Sequence, residues 1–184
     1  AEVAKKIYLE EHPNTNIHVI NSLSAGGEVD LIVRKLNQLV AEGLDFDQVV
    51  EVITKYQEKT KLLFVLAKVD NLVKNGRLSK LIGTVVGLLN IRMVGEASKT
   101  GTLELLQKAR GQKKAIKAAF DELIKAGYNG GHITIAHRNN EKFIEQFSEL
   151  VREKFARANI EVLPTSGLCS FYAEEGGLLM GYEI

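Results

Sequence analysis

The chain has 184 residues, of which 45% are hydrophobic and 26% charged, the composition of an ordinary folded protein. Lysine and arginine total 24 against 23 acidic residues, so no excess of positive charge is available to hold a nucleic acid or an anionic bilayer. Cys169 is the single cysteine, which excludes a disulfide framework and a multi-cysteine metal cluster. No apolar run approaches the length of a membrane span, and no signal peptide opens the chain. We therefore expect a cytoplasmic protein that has no membrane span and no nucleic-acid partner.

The first 60 residues have the pattern of an incomplete α/β domain. Apolar positions at helical spacing predict a helix over Ala1–Glu11, and the β-branched segment Asn16–Ser22 predicts a strand. Two amphipathic helices follow, one over Glu28–Gly43 and one that begins at the N-cap Asp45. Because one strand cannot form a sheet, we expect residues 1–60 to be the remnant of an α/β first domain whose beginning was removed.

From about Lys61 onward the pattern predicts a complete α+β domain. The apolar run Leu62–Val69 has the length of a strand that is covered on both faces. Ser79 is a plausible N-cap for the next helix, in which Gly83 and Gly87 would let a ligand or another backbone approach closely. The remaining predicted elements are a strand in NIRMVG, a hairpin around Thr100-Gly101, a basic helix over Gly111–Ala126, a strand in GHITIAH, a helix over Asn140–Ala158, a strand in NIEVLP and a glycine-rich strand pair over Gly167–Ile184. The expected fold is thus α/β and α+β, in which a mixed sheet with helices occupies residues 61–184.

No sequence motif supports a self-contained enzyme. The chain contains neither a dinucleotide-binding fingerprint nor a phosphate loop, and its histidines lack the HExxH spacing of zinc proteases. No GxSxG nucleophile elbow occurs, and Cys169 lies in an apparent strand where a buried, inert thiol is the simpler interpretation. We therefore predict no catalytic residues, no metal ligands and no cofactor.

Three other features are candidate functional groups, and each also has a purely structural interpretation. Arg77 follows a turn and precedes the first turn of a helix, where it could attract a carboxylate or phosphate or simply be solvated. His137 closes a strand, where it could be a ligand-binding or a structural histidine. A cluster of cations could dock an acidic or phosphate-bearing partner or form a solvated helix face; it comprises Lys108, Arg110, Lys113, Lys114 and Lys117.

Four segments in the same order and register resemble the DegV family of bacterial fatty-acid-binding proteins. They are AKVDNLVKNGRLSKLIGTVVGLLNIRMV, QKARGQKKAIKAA, ITIAHRNNE and GGLLMGYEI. Similar proteins have two α/β domains with a long-chain fatty acid between them. They present its carboxylate to a dihydroxyacetone-kinase-like fatty-acid kinase. The resemblance therefore implies a carrier rather than an enzyme, with a fatty acid and the kinase's catalytic subunit as its partners.

The resemblance also implies where the ligand binds. The matched positions are Arg77 in the Gly-Arg turn, Arg92 in the strand after the glycine-containing helix, Arg110 in the basic segment, His137 at the strand end and Ser22 in the first domain. Tyr172 stands where many members have a histidine near the fatty-acid head group. A tyrosine hydroxyl can donate to a carboxylate but is uncharged near neutral pH, which puts a proton or phosphoryl relay through that point in question.

An apolar slot and a few donors at its mouth would suit a fatty acid. We expect the apolar segments Leu62–Leu66 and Leu81–Ile91 to line the slot, with Gly83 and Gly87 providing room. Since a buried carboxylate needs partners, its candidate donors are Arg77, Ser79 and Tyr172. The basic residues Lys108, Arg110, Lys113 and Lys114 would then face the kinase.

Two alternative functions remain open. The family's N-terminal strand, its Thr-Ser-Gln-Pro-Ser segment and its Ser-rich loop have no counterpart before Ala1, so only part of the head-group site is expected here. The first alternative is a regulatory or interaction domain that binds no ligand. The second is a kinase-related, phosphate-binding protein, because the second domain of DegV proteins is similar in fold to dihydroxyacetone kinases.

Overall fold

The computed structural model describes residues 1–78 and 90–184, and its described strands form one six-stranded mixed sheet. The helices in these ranges are α1 (Glu2–Glu11), α2 (Gly27–Ala41), α3 (Phe46–Gln57), α4 (Asp70–Lys74), α5 (Gln112–Lys125), α6 (Glu141–Lys154) and α7 (Gly167–Ala173). The strands are β1 (Thr60–Leu66), β2 (Ile91–Ala97), β3 (Leu103–Arg110), β4 (His132–His137), β5 (Asn159–Pro164) and β6 (Leu178–Glu183). None of these helices has both the length and the apolar composition that crossing a bilayer requires.

The sheet has the order β3-β2-β1-β6-β4-β5, with β1 near its centre. β1 pairs antiparallel with β2 and with β6, while β4 pairs antiparallel with β6 and parallel with β5. The strand predicted in the apolar run Leu62–Val69 is confirmed over Leu62–Leu66, where every residue is buried, but Val69 precedes α4 instead. Alternate residues of β1 contribute to opposite faces, because successive side chains of a strand point in opposite directions.

Each face of the sheet has its own hydrophobic cluster. On one face, Leu63 and Val65 pack with residues of α5 and α6, such as Ala119 and Phe147. On the other face lie Leu62, Phe64 and Leu66, together with Leu72, Leu78, Met93, Ala136, Ala173 and Leu179. This second face is where α2, α4 and α7 approach the sheet, and it carries the candidate site.

Helix α2 reaches the sheet through two glycines. A Cβ atom at Gly27 would lie 2.1 Å from the backbone oxygen of Thr134 and 2.6 Å from the nitrogen of Gly181. A Cβ atom at Gly181 would lie 2.2 Å from the nitrogen of Glu28. Since no real Cβ tolerates such distances, the first turn of α2 can rest on β6 only because both positions lack a side chain.

Helix α3 is joined both to α2 and to the sheet. Asp45 caps its N-terminus as predicted, accepting from the backbone of Gln48 at 2.9 Å. A small cluster between α2 and α3 contains Ile32 and Ile53. Tyr56 donates its hydroxyl proton to Glu183 at 2.7 Å, and the same carboxylate accepts from the backbone of His132 at 2.8 Å. Burial, followed by the neighbouring Glu183, raises the pKa of Tyr56 above its ordinary value.

The predicted strand Asn16–Ser22 is wrong. This segment forms no ladder with any strand of the described ranges and runs as irregular chain. Its β-branched composition is typical of a strand, but a strand also requires a neighbouring strand to satisfy its backbone groups. Sequence composition alone does not supply that partner.

The predicted strand pair over Gly167–Ile184 is wrong in its first half. Residues Gly167–Ala173 form helix α7, and only Leu178–Glu183 forms a strand. The helical signal is the i, i+3, i+4 spacing of Cys169, Tyr172 and Ala173, which all face one cavity. In addition, the predicted helix Asn140–Ala158 is shorter at both ends, because α6 spans Glu141–Lys154, and α4 is an element that the sequence pattern does not predict. Ser79, Gly83 and Gly87 lie outside the described residues.

Replacing a tyrosine with phenylalanine should have opposite effects on the free energy of unfolding at Tyr56 and Tyr182. Tyr56→Phe removes a hydrogen bond to a carboxylate and should lower the free energy of unfolding by about 1.5 kcal/mol. Tyr182 is fully buried, and its hydroxyl has no hydrogen-bond partner among the described residues. Tyr182→Phe should therefore raise the free energy of unfolding by about 1 kcal/mol. Urea unfolding of both variants tests this pair, and a shift of the same sign in both would contradict it.

Candidate functional site

A cavity of about 530 Å³ lies on the second face of the sheet. This volume is within the range of roughly 300–1,000 Å³ found for small-molecule sites. Its floor is formed by Leu62, Phe64, Leu66 and Leu179, which are all buried. Around this floor stand residues 21–25, the β2–β3 hairpin, Leu72, Arg77 and the cavity-facing side of α7. Of the expected apolar slot, Leu62–Leu66 therefore contributes through alternate residues, whereas residues 81–89 lie outside the described residues.

The cavity has a polar group at each end. Leu62 and Leu66 are four residues apart on β1, which corresponds to about 13 Å along a strand. Near the Leu62 end lies the β2–β3 turn, whose Gly101 is close to the backbone of Leu23. Ser22, Thr100 and Thr102 line this end. Near the Leu66 end lie α4, the turn that follows it, and α7.

Arg77 and Tyr172 meet at the Leu66 end. The guanidinium carbon of Arg77 lies 4.9 Å from the centre of the Tyr172 ring, in cation–π geometry. The backbone of Arg77 is held by a hydrogen bond from its nitrogen to the carbonyl of Leu72 at 2.9 Å. Both side chains line the cavity, and Arg77 is exposed to solvent. This end therefore presents a cation and a hydroxyl donor to the cavity, a combination that suits a carboxylate.

The chain just after Tyr172 adopts an unfavourable backbone conformation. Glu174 follows α7 with φ 53° and ψ −171°, a region that glycine occupies far more readily than any other residue. Such a conformation costs of the order of 1–3 kcal/mol at a non-glycine residue. Its carboxylate accepts a hydrogen bond from the backbone nitrogen of Asn71 at 2.9 Å. The side chain therefore makes a contact that glycine could not supply.

At the other end, a chain of hydrogen bonds fixes which hydroxyl is available to a ligand. Ser24 donates its hydroxyl proton to Glu28, and Thr60 donates to the same carboxylate at 2.8 Å. Ser22 accepts from the backbone nitrogen of Ser24 at 3.3 Å. Because its own proton is not used in these bonds, Ser22 can still donate into the cavity. Ser22 lies at the opposite end from Arg77, so the structure does not bring these two predicted ligand residues together.

Arg92 and His137 lie outside the cavity lining, at the end of the sheet where β1 ends and β6 begins. His137 Nδ1 faces the backbone nitrogen of Asn140 at 3.3 Å, and the Asn140 side chain donates to the carbonyl of Gly176 at 2.7 Å. One guanidinium nitrogen of Arg92 lies 3.7 Å from the position that a Cβ at Gly176 would take. Burial lowers the pKa of Arg92 from its ordinary value. Both predicted residues thus approach Gly176, and neither belongs to the cavity lining that contains Arg77 and Tyr172.

The predicted partner-binding cations are exposed and lie on two neighbouring elements. Lys108 and Arg110 are on the outer strand β3, and Lys113 and Lys114 are in the first turn of α5. All four side chains are exposed, whereas Lys117 forms an ion pair with Asp121. The four residues can therefore approach a partner without rearrangement of the fold.

Sequence reasoning missed several residues of the site. Thr100 and Thr102 enter the cavity from the hairpin turn, and Cys169 enters it from the unpredicted helix α7. The helical spacing of Cys169 and Tyr172 in the sequence could have placed Cys169 on the same side of a helix as Tyr172. Within residues 1–78 and 90–184, no group of three or more His, Cys, Asp or Glu side chains is arranged to hold a metal ion.

Comparisons with known proteins agree on one family. The DegV model, described as an uncharacterised protein family, matches residues 1–182. The chain is 77% identical over 184 residues to a DegV domain-containing protein of Streptococcus gordonii; this match covers 100% of the chain and 66% of the relative. The chain therefore spans slightly less than two thirds of the length of the curated relatives it matches.

Two solved structures are similar in fold and sequence. One is the fatty acid kinase (Fak) B3 protein of Streptococcus pneumoniae loaded with linoleic acid, with a TM-score of 0.97 and 76% identity over 100% of this chain and 65% of that one. The other is a DegV family protein of Eubacterium eligens loaded with heptadecanoic acid, with a TM-score of 0.95 and 37% identity over 100% of this chain and 66% of that one. The resemblance seen in the four sequence segments is confirmed. The chain belongs to the DegV family.

Proposed function

We propose that this protein binds a long-chain fatty acid in the cavity and presents its carboxylate to a fatty-acid kinase. The observation that carries the proposal is the apolar floor of Leu62, Phe64, Leu66 and Leu179, which ends at a cation. The fatty acids named for the S. pneumoniae and E. eligens structures support the choice of ligand. The kinase would supply the phosphoryl chemistry, and this protein would act as a carrier without a cofactor or catalytic residues. The proposed location of the carrier and the kinase is the cytoplasm.

Burial of the acyl tail must supply most of the affinity. A sixteen-carbon acid buries about fourteen methylenes worth roughly 0.8 kcal/mol each, about 11 kcal/mol in total. Association costs of roughly 4–15 kcal/mol oppose this gain. Because the gain from tail burial and the cost of association are similar in size, the net binding free energy is small. Removing one charged partner of the carboxylate should therefore lower the affinity measurably.

In this proposal the carboxylate lies at the Arg77 and Tyr172 end of the cavity. Arg77 supplies the positive charge, and the hydroxyl of Tyr172 supplies a donor where many relatives have a histidine. Ser22 lines the opposite end and contacts the tail. Arg92 and His137 stay predictions from the family resemblance, since the described cavity lining does not include them. Ser79 stays a prediction as a carboxylate donor, and Gly83 and Gly87 stay predictions as residues that make room for the ligand.

The proposal extends to the partner and to the domain organisation. The exposed cations Lys108, Arg110, Lys113 and Lys114 would dock the acidic surface of the kinase's catalytic subunit. The name of the S. pneumoniae protein, which marks it as one component of a fatty acid kinase, supports such a partner. We also propose residues 1–60 as part of a first α/β domain, which contributes residues 21–25 to the cavity, and residues 61–184 as the domain that carries the rest of its lining.

Mass spectrometry of the natural protein, isolated under native conditions, tests the function directly. We expect a co-purified long acyl chain, like the linoleic and heptadecanoic acids of the two similar structures. Absence of any acyl chain, together with no binding of added linoleic acid, would favour the ligand-free interaction domain instead.

Arg77→Ala should weaken the binding of linoleic acid about tenfold, since it removes a charge-assisted hydrogen bond from the head group. Titration of the delipidated natural protein measures the dissociation constant. Lys74→Ala is the matched control, because Lys74 is also an exposed cation at this end of the fold but does not line the cavity. Equal affinities of the two variants would remove Arg77 from the proposed site.

A further inference from the structure

Two hydrogen bonds tie α4 to α7 on either side of Tyr172. The side-chain nitrogen of Asn71 donates to the carbonyl of Phe171 at 2.8 Å. The backbone nitrogen of Asn71 donates to the carboxylate of Glu174 at 2.9 Å. One residue of α4 is thus bonded both to the residue before Tyr172 and to a residue two positions after it.

The same helix determines where Arg77 lies. The nitrogen of Arg77 donates to the carbonyl of Leu72, and the nitrogen of Gly76 donates to the carbonyl of Val73 at 3.1 Å. Arg77 is therefore bonded to the residue that follows Asn71 in α4. A shift of α4 relative to α7 would move the guanidinium away from the tyrosine ring.

Glu174 makes its hydrogen bond with Asn71 from a strained backbone conformation. Its backbone occupies a region that favours glycine, although a glycine would end α7 without strain. The neighbouring Glu175 makes a different contact, with the side chain of Asn139 at 3.2 Å. The bond to Asn71 is what distinguishes Glu174 from its neighbour.

We propose that Asn71 and Glu174 are positioning residues that hold the guanidinium of Arg77 against Tyr172, in register to receive the carboxylate of the ligand. This inference rests on the proposed function, because it takes the Arg77 end of the cavity as the head-group site. Asn71 and Glu174 do not themselves line the cavity. They act on the ligand through Arg77 and Tyr172.

A double-mutant cycle on the natural protein tests the inference, with linoleic acid as the probe. Glu174→Ala should weaken binding by about fivefold, and it should cause no further loss in a chain that already carries Arg77→Ala. Glu174→Gln keeps an oxygen acceptor for Asn71 and should bind within about twofold of the native protein. Glu175→Ala is the matched control and should also bind normally.

A second variant separates positioning from stability. Glu174→Gly removes the carboxylate but relieves the backbone strain, so it should unfold at the same temperature as the native protein or higher, yet bind linoleic acid as weakly as Glu174→Ala. The ring current of Tyr172 should shift the NMR signals of the Arg77 guanidinium group, and that shift should decrease in both variants.

The outcomes distinguish this inference from the proposed function. If Arg77→Ala weakens binding but Glu174→Ala does not, or if the two losses simply add, positioning by Glu174 is wrong and the head-group site stands. If Arg77→Ala itself leaves binding unchanged, both are wrong. Normal binding by Glu174→Gly would likewise overturn the positioning role.

Discussion

Replacing Gly181 with alanine is expected to lower the free energy of unfolding by about 3 kcal/mol or more. The new Cβ would lie 2.2 Å from the nitrogen of Glu28 and 2.3 Å from the carbonyl carbon of Gly27. Both are backbone atoms, so no side-chain rotation can relieve the overlap. The first turn of α2 would have to move away from β6, and the buried carboxylate of Glu28 would separate from Thr60.

Chemical denaturation of Gly181→Ala beside Gly43→Ala measures this effect. Gly43 has φ 80°, but a Cβ there would meet nothing within 4 Å, so its substitution should cost about 1 kcal/mol through backbone strain alone. A Gly181→Ala variant no less stable than Gly43→Ala would show that α2 does not rest on the sheet at this point.

The elements that the sequence predicts well have local causes. The run of apolar residues in β1, the capping box at Asp45 and the turn at Gly101 each follow from a few adjacent residues. The predictions for Asn16–Ser22 and for α7 are wrong for different reasons. A strand over Asn16–Ser22 would need a partner strand, which its composition cannot supply. In α7 the helical spacing of Cys169 and Tyr172 is short and is followed by a glycine-rich segment that is typical of strands and turns.

The residues of the candidate site are predictable from the sequence only in part, because they come from distant segments of the chain. Arg77 and Tyr172 are 95 positions apart, and their meeting in space follows from family resemblance rather than from any local pattern. Ser22 was grouped with them on the same ground, yet it lies at the other end of the cavity. The ties from Asn71 to Phe171 and Glu174 had no signal in the sequence, because side-chain-to-backbone bonds between distant segments leave no spacing pattern.

Phe64→Ala is expected to lower the free energy of unfolding by about 3–5 kcal/mol, the usual cost of removing a buried aromatic ring. The ring of Phe64 lies against Gly95, where an added Cβ would be only 2.3 Å from the ring. The same ring forms the middle of the cavity floor, between Leu62 and Leu66. Its removal therefore opens space beside the middle of the proposed acyl chain. A bent chain can use that space, whereas a straight chain only loses contacts.

The ratio of affinities for linoleic acid and heptadecanoic acid should consequently shift about fivefold toward linoleic acid in Phe64→Ala. Leu63→Ala is the matched control, since Leu63 is equally buried on the same strand but packs on the opposite face with α5 and α6. It should lose about 2–5 kcal/mol of stability without changing the ratio. Titration of both acids into each variant, at a temperature where both remain folded, provides the comparison. An unchanged ratio in Phe64→Ala would mean that the acyl chain does not run over this part of the sheet.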